Sequence, residues 1–264
     1  MKVCIHGSTK SSIVGGCCLE VISGGYRIFI DFGLPLDRSD LGKSLILSLS
    51  GFPETYYLTD KYKYGKYLTT DYTSPLALII SCTNLNHLGL LPFVGPSIPV
   101  IAAPNVRRII DDTYPSRYAK WPFPVEGRNL ISLETIHLGP FIITPWLTAG
   151  SNYDAYSLLI EADGKWLLYS GDLRMFRMNK TKTRKQSNMQ AIKQVMKFSG
   201  MVDTLIMEMI HVNTPGHSQI GEVQQFVQIL NPSAVVPVHS NDLENFKKYF
   251  NNVKLQKNGE KWNV

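Results

Sequence analysis

The chain has 264 residues, of which 44% are hydrophobic and 18% are charged, and its formal net charge is +6. This composition is typical of a globular protein and excludes a largely disordered chain. The modest positive charge is compatible with a polyanionic partner and equally with a solvated surface.

The cysteines indicate neither a disulfide framework nor a zinc ribbon. They are Cys4, Cys17, Cys18 and Cys82, and no C-x-x-C spacing occurs among them. The amino terminus, MKVCIHGSTK, lacks the apolar region of a signal peptide, and no run approaches about eighteen apolar residues. We therefore expect a soluble protein of the reducing cytoplasm, with no membrane partner.

The amino-terminal part of the chain predicts strands that end in a turn. Apolar residues favour strands over Met1–Ile5, Gly15–Ile22 and Tyr26–Ile30, and Gly24-Gly25 predicts a hairpin between the last two. Asp31-Phe32-Gly33 follows directly and is a turn-forming sequence.

The stretch from Leu34 to Ser74 is rich in tyrosine and lysine. Aromatic side chains among basic ones could stack on and neutralise a single-stranded nucleic acid. An ordinary tyrosine-rich surface loop is the alternative interpretation of the same residues.

A short buried strand is predicted at Ala77–Ile80, and the polar segment Ser81–His87 follows it. Polar residues at the end of a buried strand are typical of the chemical sites of α/β folds. A second buried strand is predicted at Pro99–Ala102 and a helix at Asn105–Tyr114. Two further strands, Asn129–Ile136 and Phe141–Leu147, are predicted on either side of a loop that contains His137.

The next segment predicts a hairpin, a basic loop and a helix. Strands at Tyr156–Ile160 and Trp166–Tyr169 flank a turn, Ser170–Arg174 follows, and a helix is predicted over Gln186–Phe198. The basic residues beside this segment could receive phosphates, or they could form a solvated linker. They are Arg174, Arg177, Lys180, Lys182, Arg184 and Lys185.

The carboxyl-terminal part predicts two more strands and two helices. One strand ends in L-I-M-E at Glu208, and another ends in P-V-H-S with His239. Helices are predicted over Gly221–Leu230 and Leu243–Phe250.

The loop after the Ala77–Ile80 strand resembles the metal-binding loop of the metallo-β-lactamase superfamily, S-H-x-H-x-D-H-x-G. On that pattern Cys82 and Asn84 replace two histidines, Asn86 replaces the aspartate, and His87 is retained. The I-D-F-G at Asp31 resembles the superfamily's first motif, in which the aspartate supports the metal loop from behind.

The segment Ser170–Arg174 is similar to the motif that carries the superfamily's bridging aspartate, here Asp172. The histidine that precedes this hairpin in the family is replaced by Gly150. The strand ending at Glu208, the P-G-H-S around His217 and the strand ending at His239 resemble the β-CASP branch, whose members are nucleases. Only eight residues separate Glu208 from His217, so that branch's cap domain is absent.

This resemblance implies a single domain over residues 1–264 with an α/β (α+β) architecture. The expected fold is an αββα sandwich of two mixed sheets with helices on the outer faces. The resemblance also implies that one of the two metal sites of the family is lost, because Asn84 and Gly150 are poor zinc ligands.

The second family site keeps His87, Asp172 and His239, with Cys82 and Asn86 as further candidate ligands. Glu208 and His217 match a pair that assists proton transfer in the family. The cofactor is therefore one zinc or manganese ion, or none.

The main functional prediction is a degenerate relative of RNA- and DNA-processing nucleases with weak or no hydrolytic activity. Such a protein would act as a binding or assembly subunit with another protein, and RNA or DNA is a further candidate partner. One alternative is a mononuclear metal-dependent phosphodiesterase, and a weaker one is a lactamase- or thioesterase-like hydrolase of small molecules.

Overall fold

The structure is a computed structural model that describes residues 1–6, 16, 18–33, 75–89, 91, 98–113, 129–148, 154–172, 196–208, 220–238, 243–257 and 259–264. The tyrosine- and lysine-rich stretch, the basic loop and most of the helix predicted over Gln186–Phe198 lie outside these residues. Among the described residues, no helix is long and apolar enough to cross a membrane.

The described residues form strands and short helices. The strands are β1 (Lys2–His6), β2 (Cys18–Ser23), β3 (Tyr26–Ile30), β4 (Leu78–Ile80), β5 (Val100–Ala102), β6 (Ile136–Leu138), β7 (Phe141–Leu147), β8 (Tyr156–Ala162), β9 (Lys165–Tyr169), β10 (Thr204–Glu208), β11 (Ala234–Val238) and β12 (Lys261–Asn263). The α-helices are α1 (Leu85–Leu88), α2 (Pro104–Thr113) and α3 (Ile220–Leu230), and a 3-10 helix, η1, spans Leu243–Lys248.

The first sheet has the strand order β12-β1-β2-β3-β4-β5. Pairing is antiparallel from β12 to β3 and parallel from β3 to β5. The predicted hairpin is confirmed, because Gly24 and Gly25 join β2 to β3 with φ angles of 56° and 80°. Two consecutive residues with positive φ match the right-handed twist of the flanking strands, and glycine adopts that conformation without steric cost.

The second sheet has the strand order β11-β10-β9-β8-β7-β6. Like the first sheet, it has an antiparallel half and a parallel half. Strands β6 to β9 pair antiparallel, and strands β9 to β11 pair in parallel. The predicted αββα-type sandwich of two mixed sheets is confirmed.

The main core lies between the two sheets. Alternate residues of each strand face it, as expected when successive side chains point to opposite faces of a sheet. Its members include Val3, Ile5, Leu19, Val21, Ile28 and Ile79 from the first sheet, and Ile143, Leu158, Ile160, Leu167 and Ile206 from the second. A second cluster covers the other face of the second sheet, where α3 and η1 contribute Val223, Phe226, Val227, Leu230, Phe246 and Phe250.

Three local predictions differ from the structure, and β12 has no counterpart among the predicted strands. Of the strand predicted over Asn129–Ile136, only Ile136 belongs to a described strand, β6. His137 lies in β6, because the hairpin turn falls at Gly139 and Pro140 and lets Leu138 pair with Phe141. The segment predicted as a helix over Leu243–Phe250 is a 3-10 helix that ends at Lys248. Short connecting segments commonly adopt this tighter geometry. The helices predicted at Asn105–Tyr114 and Gly221–Leu230 are confirmed as α2 and α3.

Candidate active site

The parallel halves of the two sheets end at the same edge of the sandwich. Asp31 follows β3, Ser81 follows β4, Tyr169 ends β9 and Glu208 ends β10. The hydroxyl oxygen of Tyr169 lies 2.7 Å from a carboxylate oxygen of Asp31 in one sheet and 2.7 Å from one of Glu208 in the other. The carboxyl ends of parallel strands are where α/β folds place functional side chains, and this edge is therefore the candidate active site.

Asp31 is the centre of this site. Its side chain is fully buried and accepts hydrogen bonds from the backbone N–H and the hydroxyl of Ser81, both at 2.7 Å. The backbone φ of Asp31 is 61°, in the left-handed region that aspartate tolerates better than most residues. The sharp turn after β3 thus directs the carboxylate at the loop that follows β4.

His87 is held between two carboxylates. It lies in α1 and is fully buried, with Nδ1 2.7 Å from Asp31 Oδ2 and Nε2 3.2 Å from Glu208 Oε2. Burial alone would lower the pKa of His87. The nearby Cys82, Glu208 and Asp31 outweigh burial and raise that pKa well above its ordinary value. The carboxylates on both sides of the ring thus favour its protonated form.

Tyr169 connects the two carboxylates of the site. Its phenolic oxygen lies 2.7 Å from Asp31 Oδ2 and 2.7 Å from Glu208 Oε1. A phenolic hydroxyl has one hydrogen, so it donates to only one of the two carboxylates at a time. Asp31 and Glu208 therefore share one hydrogen-bond donor at this position.

Asp172 is engaged on the other side of the site. The side-chain amide of Asn84 donates a hydrogen bond of 2.9 Å to Asp172 Oδ2. The opposite amide orientation would place two oxygens in contact, so the N–H assignment is the favourable one. Asp172 itself is 6% exposed. An amide N–H of Asn84 thus points at Asp172 Oδ2, although the sequence analysis predicts Asp172 to be a metal ligand.

Cys82 and Asn86 lie beside His87 and are buried. Burial raises the pKa of the Cys82 thiol, against the opposing effect of His87, so its sulfur is protonated at neutral pH. The backbone of Asn86 runs against Gly33, where a Cβ atom would collide with the Asn86 carbonyl group. Only glycine fits at position 33, which explains the close approach of the Asp31-Phe32-Gly33 turn to α1.

The chain is similar to several solved structures along its whole length. YhfI from Bacillus subtilis, a metallo-β-lactamase fold protein, is 17% identical with a TM-score of 0.62, and the match covers 99% of each chain. Zn²⁺-bound PqqB from Methylobacterium extorquens is 13% identical with a TM-score of 0.61, and the match covers 100% of each chain. The short form of human tRNase Z is 14% identical with a TM-score of 0.59, covering 100% of this chain and 99% of that one.

The chain has the metallo-β-lactamase fold. No protein-family model and no curated protein matches the sequence. At these identities the similarity concerns the fold alone, and membership of the β-CASP branch stays a prediction.

Zn²⁺-bound PqqB has a similar structure, and the described residues of this chain include a group that could hold a metal ion, although it is not the predicted one. Of the predicted ligands, His87 contacts two carboxylates and Asp172 accepts from Asn84. The described side chains that do converge are Asp31, His87 and Glu208, which each offer one potential ligand atom within 4.8 Å of the others. This group differs from the predicted set, which combines His87 and Asp172 with His239.

Several predicted site residues cannot be placed. His217 and His239 lie outside the described residues, as do Arg174, Arg177, Lys180, Lys182, Arg184 and Lys185. The sequence interpretation also missed Tyr169 and the side chain of Ser81. Tyr169 is the last residue of an apolar strand directly before the Ser170-Gly171-Asp172 motif, and that position is the signal that could have identified it.

Proposed function

We propose that this protein is a degenerate metallo-β-lactamase-fold protein with little or no hydrolytic activity. In this proposal it acts as a binding or assembly subunit related to RNA- and DNA-processing nucleases. The observation that carries the proposal is the hydrogen bond from Asn84 to Asp172.

The Asn84–Asp172 contact supports loss of the metal site for a chemical reason. A bridging carboxylate must direct its lone pairs at metal ions, but here one oxygen accepts an amide hydrogen at 2.9 Å. Asparagine also supplies only a neutral amide where the family places an imidazole, and zinc binds amides poorly. Metal binding would have to break this bond and gain a weak ligand in return.

The surroundings of His87 support the same conclusion. An imidazole between two carboxylates, at 2.7 Å and 3.2 Å, supplies the positive charge that a metal ion would otherwise bring to the site. A metal ion would have to take one of these ring nitrogens away from its carboxylate partner. Loss of one oriented catalytic group commonly lowers the rate by about two to three orders of magnitude, and several such groups are replaced here.

The binding role rests on charge and on the absence of the cap. The basic loop after Asp172 and the net charge of +6 favour a polyanion or an acidic protein surface as partner. Without the cap, the edge that holds Asp31 and Asp172 would stay accessible to a protein subunit. These features favour binding over turnover as the function of the site.

A mononuclear metal-dependent phosphodiesterase is the second candidate. The observation that favours it is the convergence of Asp31, His87 and Glu208 within 4.8 Å. Two carboxylates and one imidazole form a recognised ligand set for zinc or manganese. In that case the metal would replace the present contacts of His87 with Asp31 and Glu208.

Metal content and hydrolysis together distinguish the two candidates. We would purify wild type, the double variant Asp172→Ala with His239→Ala, His87→Ala, and Glu161→Ala as a carboxylate control on β8. The proposal predicts no metal-dependent cleavage of bis(p-nitrophenyl) phosphate or single-stranded RNA, and equal metal content in all four proteins. Metal that is lost in His87→Ala, together with cleavage lost in that variant but kept in Glu161→Ala, would establish the phosphodiesterase instead. Retention of the metal in the double variant would assign it to Asp31, His87 and Glu208, and its loss there would assign it to His87, Asp172 and His239.

A further inference from the structure

A second cluster of potential metal ligands lies on the first sheet, away from the candidate active site. It comprises Cys4 and His6 on β1 and Glu20 on β2, and we call it the outer cluster. Their strand neighbours in sequence, Val3, Ile5, Leu19 and Val21, face the core between the sheets. Because side chains alternate along a strand, the outer cluster occupies the opposite face of the sheet.

Strand register brings the three side chains together. Cys4 is directly opposite Glu20 in the β1–β2 pairing, and His6 lies two residues along the same face. The sulfur of Cys4 is 4.0 Å from His6 Nδ1, and His6 Nε2 is 3.2 Å from Glu20 Oε2. Each residue offers one ligand atom within 4.8 Å of the other two. Because one ion binds only one ring nitrogen, Cys4 or Glu20 must shift, or the His6 ring must turn, before all three side chains surround it.

The cluster is buried and its charges are partly compensated. Cys4, His6 and Glu20 are 0%, 4% and 1% exposed. Arg27 Nη1 lies 3.4 Å from Glu20 Oε1, the oxygen that does not face His6. Burial favours a higher pKa for Glu20, but His6, Lys261 and Arg27 outweigh it and lower that pKa. Glu20 is therefore a carboxylate with one oxygen oriented by Arg27 and the other directed at the imidazole.

Cys4 is the residue whose state a metal would change. Its side chain is fully buried and lies directly opposite Glu20 in the strand register. Burying a thiol, an imidazole and a carboxylate on one face of a sheet costs folding free energy unless another group compensates for their lost hydration. A divalent cation does so, because it converts the thiol to a thiolate and neutralises both anions.

Ligand chemistry and spacing favour zinc over harder cations. Thiolate and imidazole together select zinc rather than magnesium or calcium. Nitrogen and oxygen ligands of a tetrahedral zinc lie about 3.3 Å apart. The 3.2 Å between His6 Nε2 and Glu20 Oε2 matches this spacing. The contact of Arg27 with the remaining Glu20 oxygen corresponds to the outer-shell partners that orient ligands in metal sites.

We propose that Cys4, His6 and Glu20 bind one structural zinc ion on the outer face of the first sheet. The ion links β1 to β2 close to the amino terminus, where β1 also pairs with β12. Its function is to stabilise this edge of the sandwich, and it takes no part in chemistry at the Asp31 site. The proposal stands independently of the proposed function.

Cobalt substitution tests this site directly, because Co²⁺ bound to a thiolate absorbs in the near ultraviolet. The full-length protein is stripped with a chelator and titrated with Co²⁺, and then with Zn²⁺ in competition. Cys4→Ala removes the thiolate. Cys18→Ala is the matched control, since Cys18 is also buried on β2, directly opposite His6 in the strand register. Cys82→Ala removes the thiol of the candidate active site.

The expected result is one equivalent of Co²⁺ with the thiolate band in wild type, Cys18→Ala and Cys82→Ala, and no band in Cys4→Ala. A free zinc concentration of about 100 times Kd should lower the unfolding equilibrium constant about 100-fold in wild type and leave Cys4→Ala unchanged. If Cys4→Ala does not fold, Cys4→Ser replaces it and the wild-type spectrum still decides. Absence of the band in wild type, its persistence without the Cys4 thiol, or its loss in Cys82→Ala would overturn the proposal.

Discussion

The site at the Asp31 edge and the outer cluster are built from similar groups but behave differently. Each joins an imidazole to carboxylate and thiol groups in a buried environment. The Asp31 site is assembled from residues of both sheets, and its His87 nitrogens both face carboxylates. The outer cluster comes from two adjacent strands, and its thiol lies 4.0 Å from the imidazole, too far for a strong hydrogen bond. The outer cluster is also paired internally, His6 with Glu20 and Glu20 with Arg27. The difference is the thiol near the second ring nitrogen of His6, and this thiol is the group on which our proposal of a metal there depends.

The largest expected effect is at Asp31. Asp31→Ala should lower the free energy of unfolding by about 3–5 kcal/mol, because it leaves buried partners without their carboxylate. Denaturant unfolding at neutral pH measures this loss, with and without a chelator. Asp203→Ala is the control, because its side chain is 24% exposed and its ion pair with Lys165 is worth at most about 1 kcal/mol. A loss no greater than in this control would mean that the Asp31 site is not held together by internal pairing.

A smaller effect is expected at Tyr169. Tyr169→Phe removes the hydroxyl that connects Asp31 and Glu208 but keeps the buried ring. The loss of stability should be about 1–3 kcal/mol, the usual cost of leaving a buried polar group unsatisfied. Tyr26→Phe, at a ring 49% exposed in β3, is the matched control and should be close to neutral. Equal denaturation midpoints for the two variants would refute the bridging role of Tyr169.

The smallest effect is expected at Asp203, on the surface of the second sheet. Burial is the largest single effect and opposes the shift, but hydrogen bonds from Lys165 and the Trp166 backbone together outweigh it and lower the pKa of Asp203. A lowered folded-state pKa means that its stabilisation is complete above the unfolded value near 3.9 and is lost as the pH falls through the folded value. Asp203→Asn should therefore flatten the loss of stability between about pH 5 and pH 2. High salt should weaken this effect, because the pair is exposed. An unchanged pH dependence of stability in Asp203→Asn would show that Asp203 does not contribute to it.

The sequence did not show β12 and placed the strand before Phe141 too early in the chain. It was sufficient for the other strands, the glycine hairpin, α2 and α3. These features depend on local patterns and on motifs that follow buried strands. The contact of Asn84 with Asp172 could not be predicted, because it depends on side-chain orientations in two segments far apart in sequence. One feature of the sequence pointed to the outer cluster, namely the charged residue Glu20 within the otherwise apolar run Leu19–Ile22. Its meaning depends on the β1–β2 register, which the sequence does not specify.

The division of each sheet into an antiparallel and a parallel half has a consequence for folding. The antiparallel hairpins β2–β3 and β8–β9 join neighbouring segments and close short loops. The parallel contacts instead bring Ile30 to Ile79 and Tyr169 to Ile206. Contacts between distant segments form slowly, because the entropy of the intervening chain is lost first. The two hairpins should thus be in place early, and the edge that carries Asp31, His87 and Glu208 should be completed last.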